Sequence, residues 1–424
     1  MTPDDRFDGT VSVFLQQRAG TGSPDYLDDI LGRTARTRQR PGWLSIERWP
    51  PMDISANRTV LPSRFPMRSV ALFVILALLL AAVVALAVGS RQQHLPPPFG
   101  PANNGTILSE KDGDIYVADA TGDGARPLIS GPELDGGPQY THDGTRFIFL
   151  REQSGRGHVM IADADGSNVR QLTAEPLVGV DWFEFSPGDD RIAIVHGNAG
   201  RMVISMLDIA SRDLSQLDVP GLNVDSNVRW RPPDGRELIF TARAELGSPT
   251  GAAIYGIRPD GSGLRTIVPE RAEDWAFLDP KLSPDGRSLT YWMYEADPGA
   301  ADLHARIHLV DLDSRADRVV RFDPPAVDES ELQFSPDGTL GIMLEATDGA
   351  HLAIVDLATE RIVREVGPRF AGNETKASGF SPDGTLGFFA VDNREPLFID
   401  LESGDVRTAD HVYGAFGSWQ RTAP

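Results

Sequence analysis

A chain of 424 residues with 41% hydrophobic content and a formal charge of −21 has apolar surface enough for a packed core and is not wholly disordered. It contains no cysteine, which excludes disulfides, thiolate metal sites and cysteine nucleophiles. Residues 1–68 carry 10 Arg against 8 Asp and Glu, so the acid excess lies entirely in the C-terminal part, which therefore repels nucleic acid.

Residues 1–40 read as a small cytoplasmic helical segment. Val11, Phe14 and Leu15 share one helical face, Tyr26, Leu27, Ile30 and Leu31 another, and Pro24 suits the first turn of the second helix. So little apolar surface makes this a piece that folds on a cytoplasmic protein partner. Residues 41–68 form an Arg- and Trp-rich juxtamembrane segment, suited to an anionic inner membrane surface.

Residues 69–88, SVALFVILALLLAAVVALAV, run twenty positions without a charge. At ~1.5 Å per residue they span the roughly 30 Å hydrocarbon core of a bilayer. The stretch is too long and too far from the N-terminus for a signal-peptide core, and is expected to be a single retained transmembrane helix. Eight arginines from Arg33 to Arg68 precede it and only Arg91 follows closely, which places the N-terminus in the cytoplasm and the C-terminal body outside. Residues 89–104 make a Pro-rich linker in which LPPPFGP, Leu95–Pro101, reads as a stiff spacer.

A repeat fills residues 105–420. YTHDGTRFIFL, FSPGDDRIAIV, WRPPDGRELIF, LSPDGRSLTYW, FSPDGTLGIML and FSPDGTLGFFA begin at Tyr140, Phe185, Trp230, Leu282, Phe334 and Phe380, at spacings of 45, 45, 52, 52 and 46. Each is a hairpin in which Pro presets φ and Asp-Gly supplies residues tolerant of φ > 0. A second motif, such as HVMIADADGSNVRQLT from His158, follows each turn, and a seventh copy begins at Asp114, before the first turn. Four-stranded antiparallel units at a fixed period close radially into a propeller. The first unit lacks its inner strand and the last residues, His411–Thr422, form a strand with no unit of its own. The expectation is therefore an all-β, seven-bladed β-propeller, with six blades as the alternative, closed by strands from both ends of the repeat region.

These units resemble the TolB-type β-propeller repeat, an aromatic-Ser-Pro-Asp-Gly turn followed by an IYVMDADGSN-like segment. Ser283–Gly286, Ser335–Gly338 and Ser381–Gly384 match the turn fully, and Ile161–Asn168 matches the second half. Thr141-His142, Gly188-Asp189 and the extra proline after Trp230 depart from the pattern and are expected to loosen those turns. TolB itself resembles a six-bladed propeller behind a different N-terminal domain, so neither blade number nor partner carries over. A repeat identifies fold, not activity.

Catalytic chemistry is hard to find. There is no Gly-x-Ser-x-Gly elbow and no His-Glu-x-x-His. Asp163–Asn168 has a calcium-loop look but lacks the glutamate at loop position twelve, and a hairpin explains it. No cofactor or metal is expected, nor an enzyme. The function expected is a non-enzymatic, membrane-anchored module that binds an envelope protein or small ligand at the propeller face. Two alternatives stand beside it: a transmembrane regulator of anti-sigma-factor-like layout, and a polysaccharide- or peptide-cleaving propeller. The working surface is expected where loops enter the inner strands. There Asp135, Asp181, Asp225, Glu329 and Glu374 stand four to six residues before the aligned position, and Asp274 stands near the window of the Leu282 copy. Brought round one channel mouth they would focus a negative potential, with Trp182 and Trp275 adding flat apolar surface for a cationic or sugar-like ligand.

Overall fold

The computed structural model describes Ile75 and residues 95–423, except 226, 245–250, 271–275, 297–301, 324, 326, 347–349, 371–374, 392–395 and 409–415. The chain divides into two compact units, Met1–Ala87 and Val88–Pro424, and every described strand belongs to the second. Among the described residues no helix is long and apolar enough to cross a membrane. The expected span at 69–88 and the cytoplasmic segment lie outside them, Ile75 excepted.

Residues 103–422 are built from antiparallel strands as a β-propeller. Numbering the sequence repeats 1 to 7 in chain order, unit 1 has the strand order Phe416–Thr422, Asn103–Lys111, Asp114–Ala118, Arg126–Ile129. The last strand thus completes the first unit, with Asn103 opposite Thr422 and Leu108 opposite Ser418. Neighbouring units pack edge strand against edge strand: Phe416–Thr422 against Leu134–Tyr140, Ala276–Leu282 against Asp328–Phe334, and that strand against Thr375–Phe380. These are the inner strands, and they surround the axis.

The expectation of seven separate blades, or of six, needs correction. Among the described residues hydrogen bonding gives five separate blades of four or five strands, each one unit, while units 2 and 3 share one sheet of eight strands. The cause is local. The outermost strand of unit 2 is only Arg170–Gln171, so the Arg156–Gly157 end of the strand Arg156–Asp163 has no partner within the unit, and Leu177–Val178 at the start of unit 3 bonds to it. A bare edge is readily paired by whatever strand comes next.

The apolar clusters span the interfaces between neighbouring units. Ile148, Val159 and Ile161 of unit 2 pack on Phe185, Ile192 and Ile194 of unit 3, for example. Ile107, Ala118 and Trp419 of unit 1 pack on Phe398 of unit 7, which closes the ring. Because both faces of each sheet are covered, the middle strands are continuous apolar runs: Ile192–Val195 is buried at every position.

The turns repeat one hydrogen-bond plan. In unit 6 the Ser335 hydroxyl donates to Asp337 Oδ1 at 2.6 Å and accepts the Leu340 amide at 3.0 Å, while Asp337 Oδ1 also accepts the Thr339 amide at 3.1 Å. Units 5 and 7 copy this with Ser283/Asp285 and Ser381/Asp383, and unit 2 with Thr141/Asp143. The glycine serves the neighbour as well as the turn. A Cβ on Gly286, at φ +67°, would lie 1.9 Å from the Pro232 carbonyl oxygen of unit 4. Only glycine allows that approach.

The two departures at Thr141-His142 and Gly188-Asp189 do not loosen the turns as expected. They form one joint. Replacing proline by His142 restores an amide, and the shifted Asp189 receives it at 3.0 Å, together with His142 Nδ1 at 2.8 Å and the Asp143 amide at 3.0 Å. Asp190 takes over the turn, accepting the Ser186 hydroxyl at 2.6 Å.

Candidate binding site

At the end of the inner strands away from these turns, a cavity of about 590 Å³ opens beside units 1 to 3. Its wall includes Glu110, Asp135, Gln139, Glu152, Asp181, Trp182 and Phe183, and among the described residues no Lys, Arg or His lines it. Two of its polar atoms are buried without a hydrogen-bond partner among the described residues: Gln139 Oε1 and Trp182 Nε1. An orphaned acceptor and an orphaned donor in one wall cost free energy unless a ligand or water meets them.

The expected acidic collar is only partly bare. Asp181 is exposed and Trp182 half-buried beside it. Asp135 is 4% exposed, and Arg151 Nε and Nη2 donate to its two oxygens at 2.8 and 2.7 Å. That bidentate pairing holds the arginine above its ordinary pKa, against burial, which lowers it. Asp225 accepts Arg243 Nε at 2.8 Å. Glu329 is buried in the strand Asp328–Phe334. Asp274, Trp275 and Glu374 lie outside the described residues. The reason is register: Asp135 lies opposite Arg151 in the ladder, so the pair forms within one sheet before any ligand is involved.

Deeper, the inner strands supply a charged cluster. Arg229 Nη1 donates to Glu184 Oε2 at 3.0 Å, its guanidinium lies 4.3 Å from the Trp182 ring centroid, and Nη2 stands 3.9 Å from Asp279. Lys281 pairs with Asp279, and Glu331 accepts Trp292 Nε1 at 3.3 Å. Burial raises the pKa of Glu331 and the nearby Asp279 adds to this, while Lys281, the Trp292 hydrogen bond and Arg229 oppose it. Register shifts interrupt these strands between Gly136 and Gln139, Val180 and Trp182, Phe277 and Lys281, and Ser330 and Gln333. Bulges of this kind re-aim side chains. Glu331 stands at such a shift with φ +56°, a conformation an L residue rarely adopts.

The sequence reading missed this cluster, although a signal was present. The residue just before each aligned position is Gln139, Glu184, Arg229, Lys281 and Gln333 in five of the six copies. A polar residue there, inside otherwise buried units, marks the channel-facing side.

Comparisons with known proteins agree with the fold. No family model matches the chain. A protein TolB homologue of Chlorobium luteolum is 26% identical over 148 residues, which is 35% of this chain and 31% of that protein. The chain thus spans about a third of the length of that curated relative. Among solved structures, the tricorn protease is similar with a TM-score of 0.54 at 13% identity, covering 76% of this chain and 35% of that one. An oligogalacturonate lyase in complex with manganese gives 0.53 at 15% identity, covering 74% of this chain and 87% of that one. At such identities the likeness is one of fold.

Proposed function

We propose that this chain, a TolB-like β-propeller, is a membrane-anchored binding module of the cell envelope that captures a basic, partly apolar segment of a partner protein at the Trp182 mouth. The apolar stretch at 69–88 supplies the anchor, and the arginines ahead of it leave the propeller outside the cytoplasm. The mouth lies beside the first three repeat units, at the end of the inner strands away from the Asp-Gly turns.

One observation carries the reading. The 590 Å³ cavity is walled by Glu110, Glu152, Asp181, Trp182 and Phe183, with no basic side chain in its wall among the described residues. Carboxylates draw in an ammonium or guanidinium group and the aromatic rings take its aliphatic stem. Glu110 is partly committed, since it accepts the Gly137 amide at 2.5 Å, which leaves Glu152 and Asp181 as the outward charges. The similarity to TolB homologues favours protein capture over turnover of a small substrate.

The test uses fluorescent peptides and the detergent-solubilised chain. Lys-rich peptides carrying one aromatic residue should bind, more weakly as salt rises, and acidic ones should not. Changing Glu152→Gln and Asp181→Asn together should weaken binding about tenfold, roughly 1.4 kcal/mol. Equal binding of acidic and basic peptides would sink the proposal.

A further inference from the structure

The linker before the first strand does not stand free as a spacer. Leu95–Pro101 folds back onto the face of the propeller that carries the Asp-Gly turns. Arg421, on the chain-closing strand, donates from Nη2 to the Pro97 carbonyl at 3.0 Å and the Gly100 carbonyl at 2.6 Å. The Phe99 ring meets His142 of unit 2 edge-on at 5.2 Å. Just beyond, the Ala102 amide donates to the Pro382 carbonyl of unit 7 at 2.9 Å. On the other side Pro97–Pro101 share a cavity of about 980 Å³ with Pro233, Pro284 and Pro336, from the turns of units 4, 5 and 6.

A seven-residue segment that reaches units 1 and 2, is tied to unit 7 by the next residue, Ala102, and faces units 4, 5 and 6 on the other side lies across the opening those turns surround. Its composition suits the task. Pro96, Pro97, Pro98 and Pro101 fix φ at their positions, which leaves the backbone few conformations to lose and no amides to satisfy there. Their carbonyls remain available, and Arg421 uses two of the segment's carbonyls, those of Pro97 and Gly100.

We propose that Leu95–Pro101 is a strap that closes the turn-side end of the channel and locks the junction of the first and last strands. Arg421 belongs to the strand that completes unit 1, and the strap runs directly into that strand's partner, Asn103–Lys111. Strap and closing ladder therefore hold each other. Opening the ring costs the Arg421 contacts, and lifting the strap frees the strand that carries Arg421. With the strap seated, ligands enter the channel from the Trp182 side.

The absence of native cysteine makes site-specific labelling of the full chain direct. Spin labels at Leu95→Cys and Ala358→Cys, both exposed positions, should give one narrow distance distribution by pulsed electron paramagnetic resonance. The same pair should give a broad one once Arg421→Gln is added. In parallel, hydrogen exchange is followed after Pro96, Pro97 and Pro98 are all changed to Ser. The amides of Ser418–Arg421 should exchange at least tenfold faster, while those of Leu238–Arg243 in unit 4 stay protected and report that the fold persists. If the triple variant does not fold, Phe99→Ala removes the His142 contact alone and should give a smaller acceleration at the same amides. A broad label distribution in the unaltered background, or unchanged protection at Ser418–Arg421 in the folded variants, overturns the strap.

Discussion

Asp135 has two hydrogen bonds from Arg151 and 4% exposure, whereas Asp181, nearly equivalent in the next repeat, lies open to solvent. The two should separate cleanly in stability measurements. Asp135→Ala strands a guanidinium that is 29% exposed, so the cost falls below that of a fully buried broken pair, at about 2 kcal/mol. Asp181→Asn should stay within about 0.5 kcal/mol. Urea unfolding of both variants checks this, and equal effects would mean that the Arg151 pairing contributes nothing. The contrast also shows what the sequence could carry. Counting back from an aligned aromatic finds an acid at the right end of the inner strand. It cannot find Arg151, sixteen residues on, which meets Asp135 only through ladder register. The polar residues Gln139, Glu184, Arg229, Lys281 and Gln333 were legible in principle, because their offset from the aligned residue is constant. Trp182's contact with Arg229 was not, since it joins two units across a bulge.

The turns are the most legible elements, because Ser, Asp and Gly act on their own backbone within five residues. Their chemistry predicts acid sensitivity. In Asp285, Asp337 and Asp383 burial pushes the pKa up, but hydrogen bonds from the turn serine and the following residues outweigh it and hold each carboxyl below 3.8. A carboxyl held lower in the folded state adds stability above its unfolded pKa, and that stability is lost as pH falls through the folded value. The melting temperature should therefore drop as pH falls below about 3.8, and changing all three residues to Asn should flatten that limb. An unaltered acid limb in the triple variant would place the loss elsewhere. What sequence could not show was turn-to-turn contact. The pairing of His142 with Asp189, two exceptions 47 residues apart, becomes one interaction only when units 2 and 3 pack side by side.

At the scale of the whole molecule, closure depends on Phe416–Thr422. Trp419 is 7% exposed, meets Phe388 and Phe398 of unit 7 edge-on at 5.7 and 5.3 Å, and donates from Nε1 to the Ala120 carbonyl at 3.3 Å. One side chain thus joins the last unit to the first. Replacing it with alanine should cost about 3–5 kcal/mol, the range for a buried aromatic. Ending the chain at 415 goes further, for it removes the ladder along Asn103–Lys111, uncovers Ile107 and Phe398, and takes away Arg421 with its hold on the linker. An unpaired strand beside bared apolar surface invites edge-to-edge association. The shortened protein should therefore aggregate and unfold over a broader urea range than the full chain. A peptide of residues 414–424 added in trans should bind the open unit and restore both solubility and a single sharp transition, because it returns every contact except the covalent link. Were the shortened chain instead monomeric with an unchanged transition, ring closure through unit 1 would not govern the stability of the propeller.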